Sequence, residues 1–259
     1  MHIWWGFTTE DALGARVAGI GDLDGDGRPE LALAAKRSPL SHILGGYVAV
    51  YSSQDRELLH LWHASESGFF GDSIVNLGDV NGDGAADTAI GAPIANTGGT
   101  DSGLVRVLSG AAPQTSSYCF ATSNLPCPCA NQDDNGGCAH AFGKGARLFA
   151  TGSNSLSAND LQFAVVDLPP FTTSLLVMGE TSAPSVLQNG ILCVGGQLQR
   201  FPARIVSSYT AYTEGPGLPP QVQVGSLATS YFQAWYRDSN GPCGGNSNLS
   251  NAVAVTWTP

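Results

Sequence analysis

The chain has 259 residues, of which 12% are charged, 33 are glycine and 15 are proline, and its formal net charge is −10. Low charge, abundant glycine and short apolar runs fit an all-β chain with many turns; an acidic chain with no basic stripe excludes nucleic acid as the expected partner. No apolar run approaches the length of a membrane span, and Met1-His2-Ile3-Trp4-Trp5 lacks the basic and apolar regions of a signal peptide.

In chain order the first informative stretch is Asp22-Leu23-Asp24-Gly25-Asp26-Gly27-Arg28-Pro29-Glu30, which returns 57 residues later as Asp79-Val80-Asn81-Gly82-Asp83-Gly84-Ala85-Ala86-Asp87. Each copy carries oxygen side chains at its first, third, fifth and ninth positions: Asp22, Asp24, Asp26 and Glu30, then Asp79, Asn81, Asp83 and Asp87. Alternate residues of a tight loop point inward, the backbone carbonyls of Arg28 and Ala85 can join them, and the glycine at the sixth position permits the sharp turn. Carboxylates so close together repel unless a cation neutralises them, so the expected cofactor is Ca2+. An EF-hand is excluded: its twelfth position needs a glutamate, and these copies have Leu33 and Ile90. The flanks, Leu31-Ala32-Leu33-Ala34 and Thr88-Ala89-Ile90-Gly91, read as buried strands.

The 57-residue register extends beyond the loops. Leu13-Gly14 falls on Phe70-Gly71, Val17 on Ile74, Gly46 to Tyr51 on Gly103 to Leu108, and Trp5 on Trp62. Each unit therefore predicts four short strands, the content of one propeller blade, with Trp4, Trp5 and Trp62 packed between blades. Phe70-Gly71, the cation loop and Gly91-Ala92-Pro93 together resemble the FG-GAP repeat of integrin α-subunit propellers and many bacterial surface proteins. The first copy departs from that pattern, with Leu13 for the phenylalanine, Ala34-Ala35-Lys36 for Gly-Ala-Pro and Glu30 closing the loop. The resemblance covers residues 1–112 and implies two calcium-binding propeller blades. Two blades leave open sheet edges. The expectation is that further blades lie upstream of His2 in a longer precursor, that the repeats pack on the following domain, or that open edges pair between chains.

Gly110 to Ser117 is rich in proline, serine and threonine, and 113–117 reads as a linker. From 118 to 259, seven or eight β-branched or aromatic runs separated by Gly, Pro and Asn turns predict a β-sandwich. All six cysteines lie here, which favours disulfides and an oxidising compartment over a zinc site. Cys193–Cys243 is the expected long-range bridge, with Cys119, Cys127, Cys129 and Cys138 paired among themselves in one of three ways. Cys127-Pro128-Cys129, Gly190 to Gly196, Gln233 to Asp238 and the closing Val255-Thr256-Trp257-Thr258-Pro259 resemble a C-terminal module of secreted planctomycete-type proteins, which implies location and not chemistry; the closing residues suggest a natural C-terminus.

There is no G-x-S-x-G elbow and no H-E-x-x-H. Asp160, Asp167, Glu180, Glu214 and Asp238 could supply a glycosidase pair, and the alternating Tyr231, Phe232, Trp235 and Tyr236, with Tyr209 and Tyr212, could stack on sugars or fill the sandwich core. The expectation is therefore a secreted or cell-surface calcium-binding module for a protein or polysaccharide ligand. The alternative is an extracellular carbohydrate-active hydrolase or lyase with its cleft in the sandwich.

Overall fold

A computed structural model describes the chain except residues 1, 9, 25, 41–44, 55, 57, 65, 66, 83, 111–114, 123, 158, 160, 207–210, 216, 221, 223, 226 and 227. The described residues form strands and no helix, and they divide into two compact units, Met1–Pro113 and Gln114–Pro259.

The first unit contains β1 (Arg16–Gly19), β2 (Leu31–Ala35), β3 (Tyr47–Tyr51), β4 (Leu58–His63), β5 (Ser73–Gly78), β6 (Asp87–Ala92) and β7 (Leu104–Leu108). β1 to β4 form one antiparallel sheet in chain order, and β5 to β7 form a second. The second sheet repeats the first pair for pair. Arg16↔Ala34 and Ala34↔Val48 become Ser73↔Gly91 and Gly91↔Val105. The turns repeat as well: Gly14 N–H donates to Ala34 O at 2.9 Å, and Gly71 N–H to Gly91 O at 3.1 Å.

Strand alternation decides which face each residue joins. Ala32, Ala34, Val48 and Val50 of the first sheet share a core with Phe70, Ile90 and Ala92, and Ile74, Leu104 and Leu108 pack against it. The opposite face of the first sheet carries Tyr47 and Tyr51, met by Phe7 and Trp4 at ring separations of 5.2 and 5.8 Å. Trp62 joins the inter-sheet core, as expected, but Trp5 is 79% exposed. Its segment forms no sheet among the described residues, so its ring stays mostly uncovered.

The second unit contains β8 (Thr115–Tyr118), β9 (Arg147–Thr151), β10 (Gln162–Val166), β11 (Thr173–Gly179), β12 (Thr181–Leu187), β13 (Gly190–Gly195), β14 (Gln199–Arg200), β15 (Arg204–Ile205), β16 (Tyr212–Glu214), β17 (Thr229–Arg237) and β18 (Ser247–Thr256). One sheet runs β14-β11-β17-β18-β8 with β15 beside β11, another runs β16-β10-β9, and β12 and β13 make a hairpin. The two larger sheets line one core: Leu148, Phe163, Val165 and Tyr212 from one, Leu176, Met178, Phe232, Tyr236, Val253 and Val255 from the other. Each aromatic buried there contributes about 1.5–3 kcal/mol.

Two expectations are corrected. Residues 115–117 belong to β8 and are not linker: Ser117 pairs with Val253 and Thr115 with Val255. Segment 115–118 holds the repeat position of β4, yet it joins the second unit's sheet, so the second repeat has three strands where four were expected. Its Thr-Ser-Ser lacks the apolar residues of Leu58-Leu59-His60-Leu61-Trp62 that bury β4.

Candidate functional site

The loop between β1 and β2 is built by its own carboxylates. Asp22 accepts from Gly27 N–H at 2.9 Å, Asp24 from Asp26 N–H at 3.1 Å, and Asp26 from Arg28 N–H at 2.8 Å. Gly27 has φ +86°, the left-handed backbone that the sequence assigned to the sixth position. Glu30, at the mouth of β2, reaches back so that its Oε2 accepts from Leu23 N–H. One oxygen from each of Asp22, Asp24, Asp26 and Glu30 lies within 4.8 Å of the others.

Three of these groups are at least partly solvated, but Glu30 is fully buried. Its Oε1 has no hydrogen-bond partner, nor has the buried Oδ2 of Asp26. Burial, followed by the neighbouring charges of Asp24, Asp22 and Asp26, holds the Glu30 carboxyl above the usual carboxylate range despite the Leu23 hydrogen bond. A buried acceptor facing three acids is a costly arrangement that a cation would reverse. Arg28 is exposed at the seventh position, its N–H committed to Asp26.

The loop between β5 and β6 follows the same plan. Asp79 accepts from Gly84 N–H at 3.0 Å and from Gly82 N–H at 2.6 Å, and Gly84 has φ +91°. Asp87 is 1% exposed and takes the place of Glu30, accepting from Val80 N–H at 2.9 Å and Asn81 N–H at 3.2 Å. The Asn81 side-chain amide donates to Asp87 Oδ1 at 3.3 Å. Ala85 is half-buried at the seventh position. Asp83 lies outside the described residues, so this loop shows its remaining oxygens without the fifth-position ligand.

The cysteines pair as Cys119–Cys193, Cys127–Cys138 and Cys129–Cys243. The expected Cys193–Cys243 bridge is therefore wrong, and only one bridge stays inside the first four cysteines. The cause is the strand reading of 115–118. As the neighbour of β18, β8 delivers Cys119 to β13, where Tyr118 Oη also donates to Cys193 O at 3.1 Å. Cys243 is carried to Cys129 through buried Asn189, whose Oδ1 accepts from Cys243 N–H at 3.2 Å, while Asn131 donates to Asn189 O at 3.0 Å. Sequence spacing gave no hint of either asparagine.

Three of the second unit's candidate acids, Asp167, Glu214 and Asp238, are held by ion pairs or a backbone hydrogen bond. Asp167 pairs with Lys144 and Arg147 at 3.1 and 2.6 Å, Glu214 with Arg204 at 2.6 Å, and buried Asp238 accepts from Ala141 N–H at 3.1 Å. Asp160 and Tyr209 lie outside the described residues. Phe232 and Tyr236 are fully buried, whereas Trp235 is half-exposed beneath the Arg237 guanidinium at 5.3 Å. His140 donates to Asp167 O at 2.9 Å and accepts from Phe142 N–H at 3.0 Å; burial lowers its pKa, and both ring nitrogens are committed. Among the described residues no helix is long and apolar enough to cross a membrane.

No family model and no curated protein matches the chain. A solved structure, the tetra-tandem repeat in the extending region of a large adhesion protein, is similar over 88% of this chain at 13% identity and a TM-score of 0.28. This chain spans 45% of that structure's length, and a likeness so slight carries over neither fold nor function.

Proposed function

We propose that the chain is a secreted or cell-surface calcium-binding protein whose first unit is stiffened by Ca2+ in the 22–30 loop and, by repetition, in the 79–87 loop. The observation that carries this reading is the buried, partnerless Oε1 of Glu30 facing the oxygens of Asp22, Asp24 and Asp26. Oxygen-only ligands on a turn of this size suit Ca2+ better than a softer metal. The ion's role is structural, since it would fix the β1–β2 and β5–β6 connections and leave the sheets free to present a binding surface to a protein or polysaccharide. The FG-GAP resemblance and a propeller-like stacking of the two sheets belong to the same reading. Three disulfides with no free cysteine fit folding in an oxidising compartment. Calorimetric titration of the chelator-treated chain with Ca2+ tests the proposal: saturable binding, with one site's share lost on Glu30→Ala, is expected, and no heat of binding would defeat it.

A further inference from the structure

Among the described residues the second sheet has three strands, and residues 2–6, which lie in no strand, hold the fourth strand's place in the repeat. In the 57-residue register these residues fall on 59–63 of β4, and Met1-His2-Ile3-Trp4-Trp5 resembles Leu58-Leu59-His60-Leu61-Trp62 far more than the β8 sequence does. They make no backbone hydrogen bond to any described residue. Among the described residues β7 pairs only with β6, while its counterpart β3 pairs with β4 through Val48↔Trp62 and Val50↔His60. Transferring that register sets Trp5 opposite Val105 and Ile3 opposite Val107. All four are exposed in the structure, at 79, 67, 66 and 55% respectively. In the first sheet the matching Val48 and Val50 are fully buried.

We propose that residues 2–6 of one copy add as an antiparallel fourth strand to the open edge of β7 in a second copy. The donated backbone satisfies the outward N–H and C=O groups of β7, which is the logic of strand addition. Trp5 and Ile3 extend the uncharged row of Val105, Val107, Ala89 and Val75, and cross-strand pairs of this kind stabilise a sheet. The same chain cannot supply the strand. Phe7 is anchored on Tyr47, on the face of the first sheet away from the second sheet. Stacked sheets lie about 10 Å apart, and all five preceding residues are needed along β7. Donation releases the contacts of Trp4 with Tyr51 and of His2 with Arg56. It also continues the sheet-on-sheet packing already present between the two repeats, bringing the open valine face of one copy toward the first sheet of the next. Donor and acceptor are different surfaces, so the contact is head-to-tail and generates chains or closed rings.

Sedimentation of the full chain over roughly 1–100 μM, the range of weak interfaces, should show mass rising beyond the monomer. A donor-blocked variant, Ile3→Lys with Trp5→Lys, and an edge-blocked variant, Val105→Lys with Val107→Lys, should each stay monomeric, because charge on an open edge opposes pairing. Mixing the two leaves one good donor and one good edge per pair, so dimers should return and nothing larger. A native chain that is monomeric throughout, a variant that associates as the native chain does, or a mixture that stays monomeric would each overturn the proposal.

Discussion

Replacing Glu30 by Gln separates a cation site from an ordinary acidic turn. The amide keeps the shape and the acceptor for Leu23 N–H but removes one of four charges whose oxygens lie within 4.8 Å. At that spacing each carboxylate pair repels by about 3.5 kcal/mol for an effective dielectric of 20 and by about 0.9 kcal/mol in water. Asp22 and Asp24 are exposed, so the lower figure governs, and relief summed over three neighbours is on the order of 2–3 kcal/mol. In EGTA the variant's first unit should therefore melt higher than the native one, by roughly 10 °C for a unit of this size. In calcium the order reverses. The native loop gains about 4.1 kcal/mol at a thousandfold excess over Kd, which exceeds the charge relief, and the variant, short of one anionic ligand, gains less than the difference. Scanning calorimetry with and without calcium reads both arms, and insensitivity to reductant marks the transition of the disulfide-free first unit. If Glu30→Gln melts lower in EGTA and calcium leaves the native transition unmoved, the reasoning fails.

Three further outcomes are expected. Non-reducing peptide mapping should recover 119–193, 127–138 and 129–243 links, and replacing both Cys129 and Cys243 by Ala should cost about 4–5 kcal/mol, the chain-entropy value for a loop of this length. His60 donates to Gly110 O at 3.1 Å and is otherwise buried; burial lowers its pKa from 6.5 to about 4, so the unfolded chain takes up the proton first as pH falls. Its contribution is complete above pH 6.5 and lost toward pH 4, on the order of 3 kcal/mol, and urea melts of His60→Gln should show a flatter acid limb. Gln233 is fully buried, accepting from Cys193 N–H at 2.9 Å and donating to Ile191 O and Ser250 O at 2.9 and 2.7 Å; Gln233→Leu strands those groups and should lower stability by about 3 kcal/mol in denaturant titration.

The periodic parts of the molecule were legible from sequence. The 57-residue register gave the strand order of β1 to β3 and β5 to β7, and the Asp-Gly pattern gave both loops, because spacing and backbone sterics are local properties. What escaped was decided across the chain. Residues 115–117 looked like linker because Thr-Ser-Ser carries no core side chains, yet an edge strand needs only backbone partners, and β18 supplies them. That one misplacement made the Cys119 partner unreadable. Asn189 was equally silent: a single asparagine in the turn between β12 and β13 gives no sign that it organises the 238–246 loop through Gly245 and Cys243.

The Cys129–Cys243 bridge also sets how the second unit answers a pull on its ends. Tension entering near Thr115 runs along the backbone to Cys129, crosses the bond to Cys243, 114 positions further on, and leaves through β18, so the segment between them is bypassed. Stretching can peel β8 and β18, but it cannot unravel β9 to β17. A protease nick anywhere in that interior likewise leaves both pieces covalently joined, a form of damage tolerance that would suit the extracellular setting proposed above.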